Sequence, residues 1–270
     1  MPELPEVETI VRQLAPVLPG LVVREVQVLD ARLGVPQPER ARGRKVRGVT
    51  RRGKVVAIEL GPAPRDGEGL WLCFHLRMTG RLFYAPRIGP EDRRRLRARV
   101  RLSKGSLWFC DLRRLGTMHL CRKVEEVAPQ GVEPLSRELT ARRLAELLGQ
   151  SKQGLKLWLM RQDKVAGIGN IYAAEILFAA GLHPERPAGS LCPDEVRRLH
   201  RAIRGVLRRA IAFCGTTVSE YRDAQGDEGS FQNFLKVYGR EGEPCLRCGA
   251  KIKRIGQQNR STYFCPRCQR

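Results

Sequence analysis

No stretch of this 270-residue chain reaches the roughly 18 consecutive apolar residues of a membrane-spanning helix, so none is expected. The first residues are acidic and lack an apolar core, so no secretory signal is expected either. Internal repeats and low-complexity tracts are absent. Acidic residues are scarce: 28 Asp and Glu stand against 50 Lys and Arg, a formal net charge of +22. Nine cysteines is an odd number, and Cys73, Cys110, Cys121, Cys192 and Cys214 are scattered singly through apolar surroundings. They read as small buried hydrophobes in a reducing compartment, the cytoplasm, and not as a disulfide framework.

What is present is enough apolar material, 42% of residues, for real cores, and enough length for two domains. A positive surplus this large favours a polyanion, nucleic acid first, with a ribosomal-type or membrane-surface protein as the competing class. Residues 21 to about 126 read as strands. Val55–Leu60 and Leu70–Phe74 are short apolar runs, and Arg97–Leu102 alternates arginine with apolar residues before a Ser-Lys-Gly-Ser turn into Leu107–Phe109. Two packed sheets follow from this pattern. Helices dominate from Pro129–Leu135 onward. The clearest starts at Pro193, carries the stripe Val196, Leu199, Ile203, Val206, Leu207, Ala210 and Ile211, and ends at Gly215. Thr216–Gly229 reads as an exposed, mobile loop.

Several groups can carry chemistry. If Met1 is removed, Pro2 becomes a free secondary amine beside Glu3; with a pKa near about 8, such an amine is partly neutral and nucleophilic at neutral pH. The following Pro5–Ile10 also reads as a plain helix start with acids facing the helix dipole, and both readings can hold. Cys245-x-x-Cys248 and, after sixteen intervening residues, Cys265-x-x-Cys268 have the spacing of a tetrahedral structural zinc site. Between them lie Lys251, Lys253, Arg254, Arg260, Ser261 and Thr262, a basic tip suited to a phosphate backbone. Gly167-Ile168-Gly169-Asn170 opens a helix whose free N–H groups suit an anion, although a plain helix–turn–helix fits as well. Arg51-Arg52-Gly53-Lys54 is either a solvated edge or a binding segment. In Asp111-Leu112-Arg113-Arg114-Leu115-Gly116, an arginine next to an apolar side chain suits wedging into a base stack.

Taken in order, Pro2–Thr9, Arg52-Gly53-Lys54, His75-Leu76-x-Met78-Thr79-Gly80, Asp111-x-Arg113-Arg114-x-Gly116, Gly167-x-Gly169-Asn170-Ile171-Tyr172-x-x-Glu175, Val237-Tyr238-Gly239-Arg240 and the cysteine hooks resemble the bacterial formamidopyrimidine-DNA glycosylases end to end. The resemblance implies an α+β fold. It comprises an N-terminal two-layered β-sandwich with a leading helix (1–128), a linker (129–135), a helix–two-turn–helix domain with a lesion-capping loop (136–238) and a zinc hairpin (239–270). It implies a monomer acting on double-stranded DNA that contains oxidised purines, with DNA in the cleft between domains. One structural zinc is expected on Cys245, Cys248, Cys265 and Cys268, and no catalytic metal or organic cofactor.

By the same resemblance the damaged nucleotide is flipped out of the duplex, Pro2 attacks C1′ and Glu3 serves as acid and base. Lys54, Asn170 and Arg260 clamp phosphates, with Lys156 and Tyr238 in the same region. Glu6 and Ser219 belong to the lesion pocket and its closing loop. Met78, Arg113 and Leu115 fill the vacated hole. The chain departs from the family at Leu115, where phenylalanine is usual, at Leu112, where proline is usual, and at Arg77, where glycine is common. Two alternatives remain: an endonuclease VIII-like enzyme for oxidised pyrimidines, and a zinc-hairpin DNA-binding protein without catalysis.

Overall fold

The computed structural model describes residues 1–63 and 67–270, which divide into two compact units: 1–128 with 213–230, and 129–212 with 231–270. Helix α1 (Leu4–Leu14) opens the first unit. Its stripe of Val7, Ile10, Val11 and Leu14 recurs at helical spacing and is buried. Strands β1 (Val23–Val28), β6 (Leu96–Leu102), β7 (Ser106–Asp111) and β5 (Gly80–Ala85) form one antiparallel sheet in the order β1-β6-β7-β5. Strands β2 (Val46–Arg52), β3 (Val55–Leu60), β4 (Leu70–His75) and β8 (Thr117–Cys121) form the other, in the order β2-β3-β4-β8. Phe74 of one sheet meets Phe109 of the other edge-to-face at 5.4 Å, and both belong to the core that α1 completes. The expected two-layered sandwich with a leading helix is therefore present. The short helix α2 (Pro90–Arg94), between β5 and β6, has no buried residues and left no apolar stripe to read.

The second unit contains α3 (Ala141–Leu148), α4 (Leu155–Leu159), α5 (Asn170–Ala180) and α6 (Pro193–Ala212), then the hairpin β9 (Lys253–Gln257) and β10 (Arg260–Phe264). Thr140 caps α3 by accepting a hydrogen bond from the Arg143 N–H at 3.0 Å. Helix α6 stops at Ala212, short of Gly215, because Cys214 already sits at a left-handed φ of 57°. Among the described residues, no helix is long and apolar enough to cross a membrane.

Three readings change. The Thr216–Gly229 segment is tied down on α1, not an exposed loop: Thr216, Tyr221, Asp223 and Ala224 are buried, and the Gln13 amide both donates to Asp223 at 2.7 Å and accepts from the Ala224 N–H at 2.9 Å. Residues 213–230 therefore pack with the sandwich, although they follow the helices in sequence. The cysteine hairpin shares a core with Ala174 and Phe178 of α5 and is continuous with the helical unit. Of the single cysteines, Cys73, Cys110 and Cys121 are buried as expected, whereas Cys192 and Cys214 are exposed at the two ends of α6.

Candidate active site and nucleic-acid interface

The chain start is held by a carboxylate one turn into α1. The Glu3 N–H, at the helix N-cap, donates to Glu6 Oε2 at 2.7 Å, and Glu6 Oε1 accepts from the Thr216 N–H at 2.7 Å. The Tyr221 hydroxyl donates to the Glu6 carbonyl at 3.3 Å. Gly215, at φ 81°, lies so close that an added Cβ would sit 2.7 Å from Glu6 Oε1, so only glycine allows this approach. Glu6 therefore fastens the 213–230 segment to the same helix turn that carries Pro2 and Glu3. Pro2 and Glu3 are buried, while Met1 and Ser219 are exposed.

The wedge residues come together because the chain crosses between the two sheets twice at one end of the sandwich. It leaves β4 at His75 for β5 at Gly80, and it leaves β7 at Asp111 for β8 at Thr117. Gly80 pairs with Asp111 and His75 pairs with Thr117, so the crossovers lie side by side. Asp111, almost fully buried, joins them: it accepts from the Thr79 hydroxyl at 2.5 Å, the Gly116 N–H at 2.6 Å and the Arg113 N–H at 3.2 Å. Arg97, buried on the arginine face of β6, places its guanidinium 3.6 Å from Asp111 and 2.5 Å from Asp30. Met78, Leu112 and Leu115 project from these crossovers with 40%, 52% and 47% of their surface exposed, beside exposed Arg113. Three large exposed apolar side chains in a basic setting suit insertion into a base stack.

Lys54, in the β2–β3 turn, sits at the same end, since Val55 pairs with His75. Its stem is almost fully buried, so the segment is more than a solvated edge; Arg51 is itself paired with Glu8 of α1 at 2.9 Å. His75 is a further group here, part of a sequence motif but without an assigned role. Burial, aided by the charges of Arg77 and Lys54, lowers its pKa to about 3, so its imidazole is neutral. Arg77, at the position where glycine is common, adopts a left-handed φ of 53°.

In the second unit, three expected residues converge on Ser261. Asn170 Nδ2 donates to the Ser261 carbonyl at 3.2 Å, Lys156 Nζ donates to the same carbonyl at 3.1 Å and to Thr262 Oγ1 at 2.6 Å, and Arg260 is exposed at the hairpin tip. The two-residue turn Gln258-Asn259 has positive φ at both positions, which directs the tip. Lys156 requires correction: it is fully buried, its ammonium is engaged by the hairpin, and its position is that of a strut between α4 and β10. Gly169 is the N-cap of α5, and Asn170 is its first residue. The preceding loop is held by Gln162, which accepts from the Gly167 N–H and donates to the Ile168 carbonyl. Glu175, legible in the sequence only as a motif position, accepts from the N–H groups of Lys236, Val237 and Tyr238, all at 2.9 Å. Tyr238 then stacks edge-to-face on Tyr263 at 5.2 Å.

Cys245, Cys248, Cys265 and Cys268 place their sulfurs within 4.8 Å of one another, with 4.0 Å between Cys245 and Cys268 and 3.5 Å between Cys248 and Cys265. Tetrahedral zinc with Zn–S distances of about 2.3 Å requires sulfurs roughly 3.8 Å apart, so the cage fits. Burial and the neighbouring thiols push Cys268 up to about 12, so a divalent cation is needed to hold all four as thiolates. The site holds one structural zinc ion, and with four cysteine ligands it leaves no open position for chemistry.

Three family models match the chain in order: the formamidopyrimidine-DNA glycosylase N-terminal domain over residues 1–118, its H2TH domain over 130–222, and the zinc finger found in FPG and IleRS over 242–270. A formamidopyrimidine-DNA glycosylase of Symbiobacterium thermophilum is 43% identical over all of this chain and 89% of its own length. The crystal structure of the MutM (Fpg) protein from Thermus thermophilus superimposes with a TM-score of 0.88 at 39% identity, covering 99% of this chain and 98% of that one. A Lactococcus lactis FPG mutant in complex with Fapy-dG-containing DNA superimposes with a TM-score of 0.88 at 33% identity over the whole of both chains. Chain-long identity, three family models in sequence order and the same fold agree: this chain belongs to the formamidopyrimidine-DNA glycosylase family.

Proposed function

We propose that this protein is a bifunctional DNA glycosylase and AP lyase of base excision repair that removes oxidised purines from duplex DNA. It acts as a monomer on the nucleoid's DNA in the cytoplasm. The observation that carries the reading is the start of α1, where Pro2 and Glu3 are buried together and the Glu3 N–H is fastened to Glu6. With Met1 removed, the Pro2 nitrogen is a secondary amine at a fixed point. It attacks C1′ of the flipped nucleotide, the glycosidic C–N bond breaks, and the base leaves with a proton. Glu3 supplies and removes protons at the sugar. Glu3 protonates the ring oxygen as the C1′–O4′ bond breaks, and the resulting open-chain iminium withdraws electrons and acidifies C2′–H, so the 3′ and then the 5′ phosphate are eliminated.

Lys54, Asn170 and Arg260 bind the phosphates around the flipped nucleotide, aided by Tyr238. Lys156 acts by holding the hairpin that presents Arg260. Met78, Arg113 and Leu115 occupy the hole left in the duplex, with Arg113 facing the orphaned base. Glu6, on α1, lines the lesion pocket, and the segment that carries Ser219 closes over the base. The test uses untagged protein on duplexes containing a single 8-oxoguanine or a single oxidised pyrimidine. Borohydride added during the reaction is expected to leave protein covalently joined to purine-lesion DNA through Pro2. An uncleaved N-terminal tag or Pro2→Gly is expected to abolish the crosslink and most nicking while duplex binding persists. A crosslink at an internal lysine, or full activity with the amine blocked, refutes the assignment.

A further inference from the structure

A cavity of about 320 Å3 lies within the helical unit between α5 and α6, walled by Phe178, Val206, Phe231 and Phe234 and rimmed by Arg209, Lys236 and Arg247. Its apolar wall is set back from Asn170, which begins α5, since Phe178 stands eight residues further on, roughly 12 Å along the helix axis, while Lys236 on the rim is two residues before Tyr238. Among the described residues none of the three rim cations is in a salt bridge, although the Lys236 charge acts on nearby Glu175. The single wall carboxylate, Glu175, is buried and satisfied by the three N–H groups described above. Arg209 lies over the Phe234 ring at 4.8 Å and Arg247 over the Phe178 ring at 4.5 Å. Stacking fixes the planar guanidinium groups; Arg247 Nη1 donates to the Phe178 carbonyl at 3.5 Å, and the remaining N–H edges can meet carboxylates. Stacking also covers a face of each ring that a nucleobase would need.

Gly205 supplies an independent observation. It sits in the middle of α6, where glycine weakens a helix relative to alanine, yet an added Cβ would meet nothing within 4 Å. Packing within the unit therefore does not require glycine there, but Gly205 lines this cavity, and a side chain would enter the space.

We infer that this cavity docks an acidic peptide segment of a partner protein, with one apolar side chain buried against Phe231 and its flanking carboxylates on Arg209, Lys236 and Arg247. An apolar floor under three cations that are in no salt bridge matches that pattern, whereas a phosphate backbone would leave the floor unused.

The probe is a fluorescein-labelled Asp/Glu peptide with one central Phe, titrated into the full-length zinc-loaded protein by anisotropy. Replacing the Phe by Ala in the peptide is expected to weaken binding about tenfold or more, since it removes most of a buried aromatic side chain. Arg209→Glu, Lys236→Gln and Gly205→Leu should each weaken it to a similar degree, with zinc content and lesion nicking unchanged and with the melting temperature unchanged for Arg209→Glu and raised by a few degrees for Gly205→Leu, which replaces a mid-helix glycine. Excess undamaged duplex should leave the peptide bound. Equal binding of the Ala peptide, displacement by duplex, or no binding at submillimolar protein would each overturn the inference. The peptide comparison decides the matter on the unaltered protein even where a variant misfolds.

Discussion

Asp111→Asn isolates the device that brings the two crossovers together. The change preserves shape, but it replaces one carboxylate oxygen by an NH2 group facing donors. Asp111 receives hydrogen bonds from the Thr79 hydroxyl and from the Gly116 and Arg113 N–H groups, so at least one becomes donor against donor. A hydrogen bond to a charged acceptor contributes about 1.5–3 kcal/mol. The Arg97 guanidinium loses its partner at 3.6 Å but keeps Asp30 at 2.5 Å, so the larger penalty of an unpaired buried charge is avoided. We expect a loss of about 3 kcal/mol in urea unfolding. Function should change selectively. Evicting a damaged base requires Met78, Arg113 and Leu115 to be held in place, whereas a preformed abasic site has no base to evict. Displacing such groups by about 1 Å can cost on the order of a hundredfold. Single-turnover excision of 8-oxoguanine should therefore fall about tenfold or more, with nicking of a preformed abasic site nearly unchanged. Equal losses on both substrates, or a stability change below about 1 kcal/mol, would refute the positioning role.

Arg77→Gly should stabilise the sandwich by about 1 kcal/mol, because a left-handed φ is costly for arginine and free for glycine; the same change should raise the His75 pKa above its value of about 3, read by NMR titration. Replacing Cys248 by Ser, or chelating the metal, should unfold the hairpin and weaken DNA binding, with zinc stoichiometry and circular dichroism as the checks. Glu195 has its pKa lowered to about 2, chiefly by its hydrogen-bonded pair with Arg186. A depressed folded-state pKa gives stability that is present above the ordinary carboxylate range and lost as pH falls from about 4.5 towards 2, so acid unfolding of the helical unit should be steeper in the native protein than in Arg186→Ala. Lys54→Ala and Arg260→Ala should each reduce the log–log salt slope of duplex binding by about 0.9, and an unchanged slope would remove that residue from the phosphate contacts.

Much of this protein was legible in one dimension because the physics involved is local. The stripe of α1, the cap at Thr140, the β6–β7 turn at Gly105 and the two cysteine hooks depend on residues close in sequence, so periodicity and spacing reveal them. The N-terminal Pro2–Glu3 pair was likewise visible, since a helix start and its acids lie within one turn. Other features depend on groups far apart in the chain, which no window of sequence contains. Asp111 joins two crossovers because Gly80 happens to pair with it. Thr216 returns over two hundred residues to reach Glu6, which turned an expected loose loop into a packed one. Lys156 was expected beside the phosphate clamps and is buried, because Thr262 and Ser261 offer its ammonium hydrogen bonds that replace water. Composition set the charge, and local pattern set the helices, strands and zinc ligands. Only the tertiary structure decided which charges are spent on holding the fold and which are left exposed for a ligand, because burial and pairing depend on neighbours that folding alone brings together.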